Sequence, residues 1–200
     1  MQPERHARRE YVAAFREIVD RISNSLTAVP KRLLPIKMYV AGGAALHFYT
    51  GERVSRDIDA AFSHRIALPE NLEVAYRDAD GAARLLYLDR QYSDTLGLMH
   101  EDAYEIAEIL TFPDSQGVIE VRLLSPADLA ITKLGRFSSQ DRDDIAALAR
   151  RKLIDSKSLR KRAEEALGGY VGDVARVQTS IELACRIVED EEKRRGKSRS

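Results

Sequence analysis

Two aspartates one residue apart, Asp57 and Asp59, follow the glycine pair Gly42-Gly43 in the stretch MYVAGGAALHFYTGERVSRDIDAAF. In an extended strand, residues two apart project to the same side. The pattern therefore places both carboxylates together and turns Ile58 the other way. Two like charges held side by side cost free energy unless a cation bridges them. Paired carboxylates suit a hard cation such as magnesium, which takes oxygen ligands and commonly binds substrate phosphates as well. The glycines have no Cβ atoms, so their backbone N–H groups can approach a phosphate closely. A loop for phosphates and a strand for metals are the minimum equipment for moving a nucleotide, and they equally fit a phosphotransferase. A surface turn whose acids pair with Arg53 and Arg56 would explain the charges, but not why the aspartates interrupt an apolar strand.

The elements that must position these groups follow from periodicity and capping. An apolar run from Ile36 to Ala41 predicts a short buried strand, and the segment from Ala44 to Thr50 a short helix before the D-I-D strand. Upstream, Glu4 to Leu26 predicts an amphipathic helix with Val12, Phe15, Val19, Ile22 and Leu26 on one side. Ala83 to Leu88 and Val118 to Leu123 predict two further strands, while His100 to Leu110 mixes acids and apolar residues without a clear period. Ser125 is a natural N-cap, Pro126 fits the first helical position, and Asp128 suits the positive end of a helix. Leu129, Ile131 and Leu134 give that helix an apolar stripe. A second helix runs through D-R-D-D to Arg151, a third from Asp155 to Leu167 ending at Gly168-Gly169, and a long one from Val171 to Arg195. Strands early and helices late predict an α+β fold, a small mixed β-sheet core flanked by helices. The expected divisions are an N-terminal helix over 1–35, a core over 36–124 and a helical region over 125–200.

The order of strand, Gly42-Gly43, spacer and S-R-D-I-D resembles the nucleotidyltransferase superfamily that includes DNA polymerase β. The run LLSPADLAITKLGRFSSQDRDDIAALARR resembles the downstream half of the AbiEii-type family, nucleotidyltransferase-like proteins often found as toxins of toxin–antitoxin pairs. Its matching positions are Ser125, Pro126, Asp128, Lys133, Arg136, Asp141 and Asp144, and the two segments together span residues 36 to 154. The resemblance implies transfer of a nucleoside monophosphate from an NTP to a hydroxyl acceptor on tRNA or protein. It implies two magnesium ions about 3.5–4 Å apart, held by Asp57, Asp59 and a third acid. Glu120, embedded among β-branched residues, is the candidate for that acid, with Asp114 close by; alternatively it faces solvent from a half-buried strand. Gly42, Gly43, Ser55, Arg56 and Lys133 are the candidate nucleotide contacts. Lys133 would meet the triphosphate as a point charge, whereas without the motif it reads as one more solvated lysine. Arg136, Asp141 and Asp144 are expected in supporting roles, as helix caps or as partners of Lys133 and Arg136.

Composition bounds these expectations. The chain has 200 residues, 44% of them hydrophobic, enough for a sizeable core. Lys plus Arg and Asp plus Glu balance at 32 each, so no general field for nucleic acid is indicated. A local cluster, Arg150, Arg151, Lys152, Lys157, Arg160, Lys161 and Arg162, is either an RNA-backbone contact or a solvated helix face. The single cysteine, Cys185, lies in an apolar helical pattern and reads as a packed thiol, and four scattered histidines show no ligand spacing. MQPERHARRE lacks the apolar region of a secretory signal, no stretch reaches membrane-span length, and the cytoplasm is the expected compartment. Two function classes follow: an active transferase with NTP, an acceptor and a cognate antitoxin as partners, or a nucleotidyltransferase-fold binding or regulatory module.

Overall fold

Helix α1 (Arg9–Ser25) forms because Tyr11, Phe15, Ile18 and Ile22 recur at helical spacing and are all fully buried. The stripe is centred one position before the expected one, with Tyr11 in the core and Val12 only half-buried. The computed structural model describes residues 6–92, 97–112 and 117–197, so positions 4 and 5 of the expected helix, and Asp114, lie outside the described residues. Residues 6–8 are not helical. They are tied down instead by His6 N–H to Phe48 O at 2.9 Å and by Arg8 N–H to His47 Nε2 at 3.2 Å. The chain divides into two units, residues 1–93 with 107–124 and residues 94–106 with 125–200.

The first unit holds two small mixed sheets rather than one. In the four-stranded sheet, β1 (Ile36–Val40) pairs antiparallel with β3 (Ala60–Phe62) and parallel with β7 (Ile119–Leu123). The short β6 (Glu108–Ile109) closes its edge against β7. In the three-stranded sheet, β5 (Ala83–Leu88) lies between β2 (Asp57–Ile58), parallel, and β4 (Glu73–Arg77), antiparallel. The expected D-I-D strand is thus split. Asp57 and Ile58 belong to one sheet, the chain crosses over at Asp59, and Ala60 joins the other. Helix α1 packs on β4 and β5, and Phe15 meets Phe48 edge-to-face at 5.1 Å.

Helix α2 (Gly42–Thr50) starts two residues before the expected boundary, so both glycines form its first turn. Its residues from Gly43 onward are buried. Tyr49 Oη donates to Leu124 O at 3.0 Å, pinning the helix to the end of β7. Gly51, left-handed at φ 70°, ends it, with its N–H on His47 O.

The second unit is helical: α3 (Pro126–Thr132), α4 (Ser139–Arg150), α5 (Ser156–Leu167) and α6 (Val174–Lys197). Helix α6 packs on α4 and α5, and α3 on α5. Three caps set the starts. Ser125 Oγ accepts from Asp128 N–H at 3.1 Å, Ser138 and Asp141 form a reciprocal capping box, and Asp155 accepts from Ser158 N–H at 2.8 Å. Cys185 is fully buried beneath α5, and burial raises its thiol pKa, which keeps it protonated.

The basic cluster is largely consumed by neighbouring acids. Arg162 turns inward, with Nε 2.7 Å from Asp128 Oδ1 and one terminal nitrogen 2.5 Å from Asp102. Arg160 pairs with Glu164 and Lys161 with Glu165 one helical turn on, and Arg150 faces Glu191 at 3.7 Å.

Candidate active site

The site begins where β1 ends. Ala41 is extended and sends its N–H to Asp59 O at 2.8 Å. This bond sets the start of α2 directly against the sheet crossover. Gly42 then takes a left-handed conformation, φ 57°. A Cβ added there would stand 1.7 Å from Asp59 Oδ2, so only glycine fits. A Cβ at Gly43 would stand 2.5 Å from Ser55 Oγ and 2.9 Å from a terminal nitrogen of Arg53. The glycines therefore admit the carboxylate, hydroxyl and guanidinium of the D-I-D segment onto the first turn of α2. The N-cap residue, Ala41, has no side chain to cap that turn, and the N-terminus of a helix begins with N–H groups that lack an intrahelical partner and carries a partial positive charge.

The two aspartates are fixed from different sides. Ser55, itself buried, donates its hydroxyl to Asp57 Oδ1. Arg56 is exposed, and its carbonyl accepts Tyr87 N–H at 2.9 Å, which sets β2 against β5. Ile58 and its ladder partner Leu88 are buried while Asp57 and Asp59 are half-exposed. This is the alternation expected of a D-x-D strand.

Of the other candidate residues, the register does not bring Glu120 to the aspartates. It pairs with Lys37, whereas Asp59 lies level with Ala41, four residues along the strand. At about 3.3 Å per residue that is roughly 13 Å. Its carboxylate is taken by Arg122 Nε at 2.6 Å. A nearer acid is Asp89, which no motif of the sequence marks. It follows β5, and its N–H bonds Ile58 O at 3.0 Å, one ladder position beyond Ile58 and Leu88 and so beside Asp59. Asp89 Oδ1 accepts Gln91 N–H at 2.8 Å. The signal lay in LLYLDR, an acid closing an apolar strand. Among the described residues, no three His, Cys, Asp or Glu side chains are gathered to hold a metal ion.

The remaining candidates sit in the helical unit and hold one another. Lys133 is 7% exposed, its Nζ 2.7 Å from Asp144 Oδ2 and 4.0 Å from Asp141 Oδ1. Arg136 meets Asp141 through two hydrogen bonds of 2.8 and 2.7 Å. Burial alone would raise the Asp141 pKa, but the hydrogen bonds from Arg136 and Ser138 outweigh it and bring it down to about 2. Asp128, fully buried, takes Arg162 and the Ser125 hydroxyl. The Ser-Pro-x-Asp, Lys, Arg and D-x-x-D positions thus fall into two clusters, Asp128 with Ser125 and Arg162, and Lys133 and Arg136 with Asp141 and Asp144.

Behind α2 lie two buried polar rings. Tyr11 meets His47 edge-to-face at 4.6 Å, and Tyr11 Oη and His47 Nδ1 are buried with no hydrogen-bond partner among the described residues. Burial, with the charge of Arg8, lowers the His47 pKa to about 4. The ring is therefore neutral at pH 7, accepting Arg8 N–H at Nε2 and carrying its proton on Nδ1.

A strand, a glycine-pair helix start and D-I-D at a sheet crossover are the parts of a nucleotidyltransferase domain. Residues 17–179 match the family described as "Nucleotidyltransferase of unknown function (DUF6036)", and the chain belongs to that family. No curated protein and no solved structure matches it. Among the described residues, no helix is long and apolar enough to cross a membrane.

Proposed function

We propose that the first unit binds a magnesium–nucleoside triphosphate complex and transfers its nucleoside monophosphate to a hydroxyl acceptor. The observation that carries this is the seat of Asp59 on Gly42, which joins the N-terminus of α2 to the D-I-D pair in one small volume. Asp57 and Asp59 are hard oxygen donors on one side of the strand, and magnesium is typically bound by one or two carboxylates plus substrate phosphates. Bound there, it would neutralise charge on the phosphates and ease ionisation of the acceptor hydroxyl. The N–H groups of the first turn of α2, from Gly42 and Gly43, donate to phosphate oxygens. Ser55 holds the Asp57 carboxylate in place, Arg56 steers the triphosphate, and Asp89 is the third acid by position. In the transfer, the acceptor oxygen bonds to the α-phosphorus, the bridging bond to the β-phosphate breaks, and pyrophosphate leaves. Lys133 takes no part in this step, because its ammonium is held by Asp144.

The likeness to AbiEii-type proteins favours a tRNA or protein hydroxyl as acceptor, a toxin role in the cytoplasm and a cognate antitoxin as partner. The test is incubation with each α-labelled NTP, magnesium and an extract containing RNA and protein. Label on RNA or polypeptide, absent with Asp57→Ala, is the expected result; label that persists with Asp57→Ala sinks the assignment. A second reading, a nucleotidyltransferase-fold regulatory module such as an antitoxin-like partner, is favoured by the lack of a closed three-acid cluster among the described residues. No label with any NTP, from folded protein, selects it.

A further inference from the structure

The outer face of the three-stranded sheet carries apolar surface where a solvent-facing row should be polar. Inward, Val74, Leu86, Leu88 and Ile58 are buried. Outward, the alternate positions of β5 are Leu85 and Tyr87, 40% and 39% exposed. An antiparallel or edge sheet with one wet face normally alternates apolar-in and polar-out, and Glu73 and Arg77 on β4 obey that rule. Leu85 and Tyr87 break it, with the small Ala75, the ladder partner of Leu85, and Ala83 beside them. The register shows where they break it: Tyr87 is the ladder partner of Asp57 on one side and of Glu73 on the other. Tyr87 therefore stands about 5 Å from Asp57, one strand spacing, on the same face, and Leu85 about 7 Å further along β5.

We propose that Tyr87, extended by Leu85, is the stacking platform for the base of the nucleotide substrate. The proposal rests on the reading of Asp57 and Asp59 as the phosphate end of the site. With the α-phosphate at Asp57, the base lies one ribose away, and the adjoining strand supplies the one half-exposed aromatic ring on that ladder row. The patch has two large side chains, Tyr87 and Leu85, flanked by the small Ala75 and Ala83. That suits a single base, whereas a stable protein partner covers about 800 Å². Aromatic stacking accepts every base because each has a π-face, so the platform confers affinity for a nucleoside with weak choice among the four.

The test compares two ligands by calorimetry in magnesium: a non-hydrolysable NTP analogue and inorganic tripolyphosphate, which has the phosphates and no base. Wild type is expected to bind the analogue at least about tenfold more tightly, as one stacked base supplies. Tyr87→Ala should erase that ratio and leave tripolyphosphate affinity within about twofold, which also certifies its fold, and Tyr87→Phe should restore the ratio. Equal affinities in wild type, or a ratio that survives Tyr87→Ala, overturn the platform while the phosphate site stands. If folded wild type binds neither ligand, or binds both regardless of Asp57→Ala, the site assignment falls and the platform with it.

Discussion

Gly42 and Asp59 contend for the same space: a Cβ on the glycine would stand 1.7 Å from the carboxylate oxygen Oδ2. The backbone there is left-handed as well, a conformation that costs a residue with a Cβ about 1–2 kcal/mol before any clash. Gly42→Ala should therefore lower stability by about 2 kcal/mol or more and displace Asp59 from the first turn of α2. A urea titration reads the first effect, and loss of magnesium-dependent NTP binding the second. An alanine variant with wild-type stability and binding would mean that this contact does not shape the site.

Asp89 and Glu120 make opposite predictions. Asp89 lies one ladder position from the D-I-D pair, whereas Glu120 lies four residues down the neighbouring sheet and is held by Arg122. Asp89→Asn should reduce nucleotide transfer at least about tenfold, as loss of a metal-site partner does. Glu120→Gln should leave transfer nearly unchanged and cost about 1 kcal/mol or less, the worth of a partly exposed pair. Side-by-side rates for the two variants decide between the acids, and a reversed order would restore Glu120.

The residues that could be found in advance are those whose role is local. The β1 strand, the D-x-D alternation and the helix starts at Ser125 and Asp155 each depend on neighbours within a few positions, and each stands where pattern placed it, whereas the glycine pair, expected ahead of a helix from Ala44, is itself the first turn of α2. The split of D-I-D between two sheets was not legible, because the change of partner at Asp59 depends on β5 and β1, far off in sequence. Strand β4 was missed because EVAYR presents one fully buried apolar residue, Val74, between exposed ones. Asp89 was hidden for a similar reason: it lies past the end of its strand and meets Asp59 only through register. The lysine and D-x-x-D motif was legible as a motif, but which side chain takes which partner is a tertiary matter.

Lys133 and Asp144 form an ion pair that is nearly closed to solvent, 2.7 Å apart with both side chains buried. Removing one partner strands a buried charge, which typically costs about 3–5 kcal/mol. Lys133→Met should therefore destabilise the helical unit strongly, while NTP affinity of the molecules that still fold is unchanged. The double variant Lys133→Met/Asp144→Leu should recover much of the loss, since apolar replacement of a whole pair is often neutral. Denaturation of the three variants measures the coupling. A fold-neutral Lys133→Met with weakened NTP binding would instead return the lysine to the nucleotide site.

Two groups with large shifts shape the acid limb of stability in separate pH windows, beside the smaller lowering at Asp80, Asp102 and Asp155. His47 in the first unit has its pKa lowered to about 4 by burial and the Arg8 charge, against about 6.5 in an unfolded chain. The unfolded state binds the extra proton between these values, so stability from this residue is complete above about pH 6.5 and declines down to about 4. Asp141 in the helical unit is lowered to about 2 by hydrogen bonds from Arg136 and Ser138 that overcome its burial. Its contribution is complete above about pH 3.9, the unfolded value, and is lost as pH falls through 2. Urea midpoints measured from pH 7 to pH 2 should fall in both windows. His47→Gln should flatten the upper one by about 3 kcal/mol over its width and leave the lower intact, and Asp141→Asn the reverse. A His47→Gln profile with the wild-type slope between pH 6.5 and 4 would show that some other group carries that limb.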